Sequence, residues 1–378
     1  LDDGVRVQVD RSSGKLQAVR LVDQNGRCVE GVERFLRHLL DAGYSPNTAV
    51  AYAYDLKYLF EFLAERQLDW QQFRPALALQ LLGWLRRQPS RRPAQRLGMT
   101  VATASGRVLS PATVARALAA VSSFYEWAIA AEQVDLENPM QRQRDAALAR
   151  VSGRHQPFTG AASRQVPVRR SVRVRLPSRL PRPMADAELS ALLGSLTRLR
   201  DLAMVLLMLD GGLRPGEVLG LHLDDISYGH RRVTIRKRDD HPHGVRQKSR
   251  HERVVDLLEP RTLDAVSHYV LHERPVEATS EFVFLVGRSG PRSCEPLSYS
   301  ALARLFARHL EALGLRTPAT TPHALRHSHA TAMWEAGMRE LALQRRLGHA
   351  SPDSTRIYTR VSDERVRDEY ISALKSRP

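Results

Sequence analysis

The sequence predicts a mainly α protein with a small antiparallel β-sheet, built as an N-terminal four-helix domain and a larger C-terminal domain. Three observations predict it. Four amphipathic segments crowd residues 32 to 138, an Arg/Pro-rich stretch then breaks the hydrophobic pattern, and helical periodicity resumes beyond it around two short strand-like runs. The 378-residue length also exceeds what one core usually fills, about 250 to 300 residues, so division into domains is expected.

The elements follow in order. Residues 1–30 read as a β-like arm, because "VRVQV" alternates and "LQAVRLVD" follows a Ser-Ser-Gly-Lys turn. Residues 31–140 form the helical domain. "VERFLRHLLDAG" sets Val32, Phe35, Leu36 and Leu39 on one face and stops at Gly43. "SPNTAVAYAYDLKYLFEFLAERQ" opens with Ser45 as a cap and Pro46 at the first helical position. "ALALQLLGWLRRQ" and a second Ser-Pro segment, "LSPATVARALAAVSSFYEWAIAAEQ", complete the four.

Residues 141–183 hold eleven arginines, one acid and five prolines. Such a stretch is expected to stay extended and bury no core. It is either a solvated spacer or a strap that follows a polyanion, with Arg169, Arg170, Arg173 and Arg175 as candidate DNA contacts. The C-terminal domain, 184–378, opens with "ADAELSALLGSL", which carries acids in its first turn. "RDLAMVLLMLDGGL" is a buried helix ending at a Gly pair, and "RRVTIRKRDD" and "RHERVVDLL" are strands around a His/Pro/Gly-rich turn. "EFVFLV" is a further apolar run, and helices are expected at 298–313, 322–337, 339–347 and 351–358.

Composition narrows the function. Lys and Arg number 57 against 41 Asp and Glu, a net charge of +16, which points to nucleic acid, and double-stranded DNA is the partner expected. Cys28 and Cys294 fit neither a disulfide framework nor a zinc spacing. No apolar run reaches 18 residues and no charged-then-apolar leader is visible, so no membrane partner and a cytoplasmic setting are expected. The chain starts at Leu1, which suggests that the native start lies elsewhere.

Four clusters carry chemistry. In "GLRPGEVLGL", Arg214 stands at a helix start, where the dipole disfavours a cation, and Glu217 lies within reach to tether it. In "VRQKSRHERVVDL", Lys248 is placed to donate a proton or enter a groove. In "PHALRHSHA", His323 and Arg326 share a helix face behind Pro322, whose helix start leaves amides for a phosphate. His327 and His329 invite a metal reading, but His329 points away from His323 and no Glu or Cys completes a set, so neither metal nor cofactor is expected. In "LGHASPDSTRIYTRV", nine positions separate His349 from Tyr358. A phenol attacks phosphorus once its proton is taken and the pentacoordinate charge is stabilised, which is what such a set of cations supplies.

Taken in that order, "GLRPGE", a hairpin lysine, "HALRH", "LGH" and "STRIYTR" resemble the tyrosine recombinase (phage-integrase) family. The resemblance covers about 184 to 370, and the 32–138 segment resembles the family's core-binding domain. It implies a site-specific integrase or transposon recombinase. Arg214 and Arg326 would clamp the scissile phosphate, Glu217 would orient Arg214, and Lys248 would act as general acid. His323 would serve as acid/base, His349 would hydrogen-bond the phosphate, and Tyr358 would form a 3′-phosphotyrosine link. It also implies a tetrameric synapse of homo-oligomers on DNA. The alternatives are a type IB-like topoisomerase or a resolvase of the same chemistry. The long basic linker and residues 1–30 depart from the family pattern, and the role of that arm stays open. After Tyr358, residues Val361, Val366, Tyr370, Ile371 and Leu374 mark the apolar face of an expected terminal helix.

Overall fold

The computed structural model describes residues 4–12, 15–90, 108–140, 142–144, 168–170, 172, 174, 183–245, 252–287 and 290–349, and the chain divides into two units after Ser178. In the first unit, β1 (Arg6–Ser12) and β2 (Lys15–Val22) form a two-stranded sheet. Val19 and Leu21 of β2 are buried in one core with Val32, Phe35, Leu36 and Leu39 of α1 (Glu30–Asp41).

The remaining helices of this unit, α2 (Pro46–Ala64), α3 (Pro75–Arg87) and α4 (Pro111–Ala130), all begin on proline. Proline suits that position because its ring fixes φ and its missing N–H would have had no helical partner. Ser110 caps α4 by accepting from the Thr113 amide at 3.2 Å. Ser45 occupies the same position before α2 but makes no side-chain cap bond, so there the proline alone marks the start. Between helices, Asp55 is 1% exposed and receives two bonds from Arg116, at 2.7 and 3.0 Å. That bidentate pair offsets the cost of burying the carboxylate.

The described residues of the basic stretch include a paired ribbon and two residues on a core, which the sequence did not lead one to expect. β3 (Arg142–Arg144) pairs antiparallel with β4 (Val168–Arg170), Arg142 opposite Arg170, and Val172 and Val174 pack partly buried on the first core. The sequence here reads Val-Arg-Val-Arg. Residues two apart share one side of an extended chain, so this spacing suits the burial of both valines.

In the second unit, α5 (Asp186–Ser195) precedes α6 (Leu199–Leu209), whose residues 203 to 208 are all buried. Next come α7 (Pro215–Leu219), β5 (Ile226–Ser227), β6 (Arg232–Ile235) and β7 (Arg253–Asp256). The strands form an antiparallel sheet in that order, with Val233 opposite Val255. The sequence predicts β6 and β7 but not the two-residue β5. The apolar run 281–286 adds no strand to that sheet; it makes isolated bridges, His222 with Phe282 and Leu285 with Pro296, and buries Val283 and Phe284. Helix α8 (Pro260–His268) packs on α6, followed by α9 (Tyr299–Ala312), α10 (Pro322–Glu335) and α11 (Glu340–Leu347). No helix among the described residues is long and apolar enough to cross a membrane.

Candidate active site

Glu217 is the hub of the second unit. Arg214 is the N-cap of α7 and Glu217 its third residue, so the carboxylate accepts from the Arg214 amide at 2.8 Å, as in a capping box. The same carboxylate accepts from Arg214 Nη1 at 2.7 Å. The guanidinium that the helix dipole disfavours is thus tethered by a fully buried anion. Its other arm, Nη2, donates to the Gly348 carbonyl at 3.0 Å.

Arg326 comes from the first turns of α10 and is 3% exposed. It donates through Nη1 to the Gly212 carbonyl and through Nη2 to the Leu347 carbonyl, both at 2.6 Å. Its Nη1 also stands 3.9 Å from Glu217 Oε2. Arg214 and Arg326 therefore converge on one carboxylate and on consecutive carbonyls of the 347–348 turn.

A third guanidinium, Arg253 of β7, was not singled out from the sequence. It donates bidentately to Glu217, Nη1 to Oε1 at 2.9 Å and Nη2 to Oε2 at 2.8 Å. Its Nε donates to the Arg346 carbonyl at 3.0 Å. Burial would raise the pKa of Glu217, but the Arg253 hydrogen bond and charge, with the charges of Arg214 and Arg326, outweigh it and hold the group at about 2.

His349 follows the turn that ends α11. Gly348 is left-handed, φ 63°, and its amide closes onto the Gln344 and Arg345 carbonyls. His349 itself donates its amide to the Gln344 carbonyl at 3.1 Å. Burial, followed by the charges of Arg326, Arg214 and Arg253, pushes its pKa down to about 3. The imidazole is accordingly neutral near pH 7 and able to donate one ring N–H.

The other histidines of α10 separate. His323 is exposed at the second position of the helix, and His327 is half-buried. Burial, then the charges of His323 and Arg326, lowers the pKa of His327 to about 4. His329 is built in: its Nδ1 lies 2.8 Å from the Leu209 carbonyl, and Arg346 Nε donates to Nε2 at 3.0 Å. Those partners assign the proton to Nδ1 and leave no lone pair for a metal. Its ring also fills the space beside Gly212 (φ 63°), where a Cβ would stand 2.5 Å from Cδ2. Among the described residues no group of three His, Cys, Asp or Glu is arranged to hold a metal ion.

Of the residues singled out from sequence, the structure brings together Arg214, Glu217, Arg326 and His349, with His323 on the same helix as Arg326. Arg169 and Arg170 lie in β4, opposite Gln143 and Arg142. Lys248, Tyr358, Arg173, Arg175 and the expected terminal helix lie outside the described residues.

Comparison with known proteins decides the family. Residues 183–365 match the model of the phage integrase family, and residues 32–132 match its N-terminal SAM-like domain. The chain is 32% identical over 338 residues to the tyrosine recombinase XerC of Mycobacterium tuberculosis, covering 87% of this chain and 92% of that one. The chain belongs to the tyrosine recombinase family. It is thus a DNA strand-transferring enzyme, a recombinase. Transposase A from transposon Tn554 of Staphylococcus aureus is 28% identical over 357 residues, with 94% of each chain covered. In fold, the chain resembles the Tn1549 transposon integrase solved with transposon right-end DNA. The TM-score is 0.62 at 17% identity, covering 91% of this chain and 99% of that one.

Proposed function

We propose that this tyrosine recombinase cuts and rejoins duplex DNA at specific sites through a 3′-phosphotyrosine intermediate, using neither metal nor ATP. The observation that carries the reading is the gathering of Arg214, Arg253 and Arg326 around the single carboxylate of Glu217. Such a cluster holds two positive charges in excess, in a partly desolvated site where Coulomb interactions are strong. A phosphodiester carries one negative charge and its pentacoordinate transition state two. The excess therefore favours the transition state over the ground state, which is the condition for accelerating the chemical step.

The residues divide the work as follows. Arg214 and Arg326 hold the non-bridging oxygens, and neutral His349 donates a hydrogen bond to the same phosphate. His323 takes the phenolic proton, and Tyr358 attacks phosphorus to form the P–O(Tyr) bond. The bond to the 5′ oxygen breaks, and Lys248 protonates that oxygen as it leaves. The 5′ hydroxyl of a second strand then reverses each step. Because the phosphodiester's energy is kept in the phosphotyrosine link, no ATP is required. The cations do for the charge what metal ions do elsewhere.

Exchange between two duplexes, each cut on both strands, calls for four copies, so a tetrameric synapse on DNA is part of the proposal. The match of residues 32–132 to the N-terminal domain of phage integrases favours a recombinase over a topoisomerase of the same chemistry. A nicked suicide substrate tests the reading. A covalent protein–DNA adduct is expected in EDTA without nucleotide, and an adduct that forms only when Mg²⁺ or Zn²⁺ is restored would overturn it.

A further inference from the structure

Arg253 adds its charge to the cluster but holds no phosphate oxygen in the roles just assigned, yet it is 8% exposed in its side chain and makes three hydrogen bonds at 3.0 Å or less. Two go to Glu217 and one to the Arg346 carbonyl, two residues before Gly348. Gly348 lies flat against it: a Cβ there would stand 2.8 Å from Arg253 Nη1 and 3.0 Å from Cζ. One guanidinium is therefore wedged between the anion that tethers Arg214 and the turn that presents His349. It enters from β7, a different element from those carrying Arg214, Arg326 and His349.

From this geometry we infer that Arg253 is a positioning residue of strand cleavage, which sets Arg214 through Glu217 and His349 through the Arg346–Gly348 turn without touching DNA. The planar fork is suited to this. It spans both carboxylate oxygens while Nε reaches a third acceptor, which a lysine ammonium on a flexible stem does not reproduce. Positioning of this kind matters because a displacement of about 1 Å in a reacting group can cost about 10²-fold in rate. The inference rests on the proposed cleavage chemistry.

The charge balance gives a second, independent signature. Three guanidiniums press on the Glu217 carboxylate, Arg253 from β7, Arg214 at the start of α7 and Arg326 from α10, and neutral His349 after α11 lies within their field. Burial raises its pKa, and the Arg253 hydrogen bond opposes that rise more than any other contact. Without Arg253 the pKa of Glu217 rises. Its protonated form no longer holds Arg214 by a charged bond, so a further acid limb enters the pH–rate profile.

The test uses the full chain with Arg253→Met and Arg253→Lys. Cleavage of the suicide substrate is followed in single turnover at saturating protein, alongside DNA affinity and melting temperature. For Arg253→Met the cleavage rate is expected to fall on the order of 10²-fold, with DNA affinity within about twofold because the phosphate contacts lie elsewhere. Its rate is also expected to drop more steeply than the wild type's as pH falls, because loss of the Glu217 charge adds to the loss of the base. Arg253→Lys is expected to recover less than about tenfold of the loss. Wild-type rates for either folded variant at saturation, or a loss that only tracks the folded fraction with no acid limb beyond the wild type's, would overturn the inference. If Arg253→Met does not fold, the lysine variant carries the test. A wild-type chain that forms no adduct at all would count against the cleavage chemistry itself.

Discussion

Arg326 Nη1 stands 3.9 Å from Glu217 Oε2 while the same guanidinium donates to the carbonyls of Gly212 and Leu347 at 2.6 Å. The anion is close enough to stabilise the charge, and two backbone oxygens fix its plane. Arg326→Lys keeps the charge but cannot satisfy both carbonyls from one nitrogen in that geometry. Under the proposed chemistry, its cleavage rate at saturating DNA is expected to fall about 10²- to 10³-fold, as for loss of an aligned donor to a developing charge. A near-wild-type rate would remove Arg326 from the phosphate clamp.

Gly348→Ala tests the turn. Its φ of 63° disfavours a side chain, and the added methyl would meet Arg253 at 2.8 Å. A left-handed non-glycine residue costs roughly 1 kcal/mol or more. The variant is expected to melt lower and to cleave more slowly than its folded fraction explains, measured by thermal unfolding beside adduct formation.

Stability should depend on pH through buried histidines. Burial, as the largest cause in each case, lowers His241, His327 and His329 to about 4 and His349 to about 3, from an ordinary 6.5. In the unfolded chain these groups bind protons as pH falls through 6.5, while in the folded chain they stay neutral. Their contribution is thus present above about 6.5 and is lost as pH falls toward 4. Glu217, held at about 2 against an ordinary 4.5, adds a loss only below about pH 4.5. The melting temperature is expected to decline between pH 7 and 5, before carboxylates titrate. A flat profile across that window would contradict the assigned burial.

Binding should be strongly salt-dependent. With +16 net charge and about six phosphates neutralised, affinity for duplex DNA is expected to weaken on the order of 10³-fold from roughly 50 to 200 mM salt. Replacing the eleven arginines of 141–183 with serine is expected to reduce that slope. An unchanged slope would make the basic stretch a spacer.

Much of this was legible in the sequence because the deciding signals are local. Proline marked the starts of α2, α4 and α10, Glu217 lies one helical turn from Arg214, and His323 and Arg326 share one helix. What stayed hidden depends on pairing between distant positions. Arg253 acquires its meaning from Glu217, 36 positions earlier, and from Arg346, 93 later. β5 is two residues long and exists only through Val233 and Arg232 opposite it. The ribbon in the basic stretch joins Arg142 to Arg170, and only the alternating valines at 172 and 174 hinted at burial. The partners of His329, the Leu209 carbonyl and Arg346, are likewise remote in sequence.

The central claim is that Tyr358 becomes covalently joined to the 3′ phosphate of the cut strand, and peptide mapping of the trapped adduct tests it most directly. Wild-type protein is incubated with a nicked suicide substrate in EDTA, denatured and digested, and the nucleotide-bearing peptide is sequenced by mass spectrometry. The modified residue is expected to be Tyr358, and Tyr358→Phe is expected to bind the same DNA with unchanged affinity and yield no adduct. A nucleotide found on Tyr370, or an adduct that persists in Tyr358→Phe, would contradict the account.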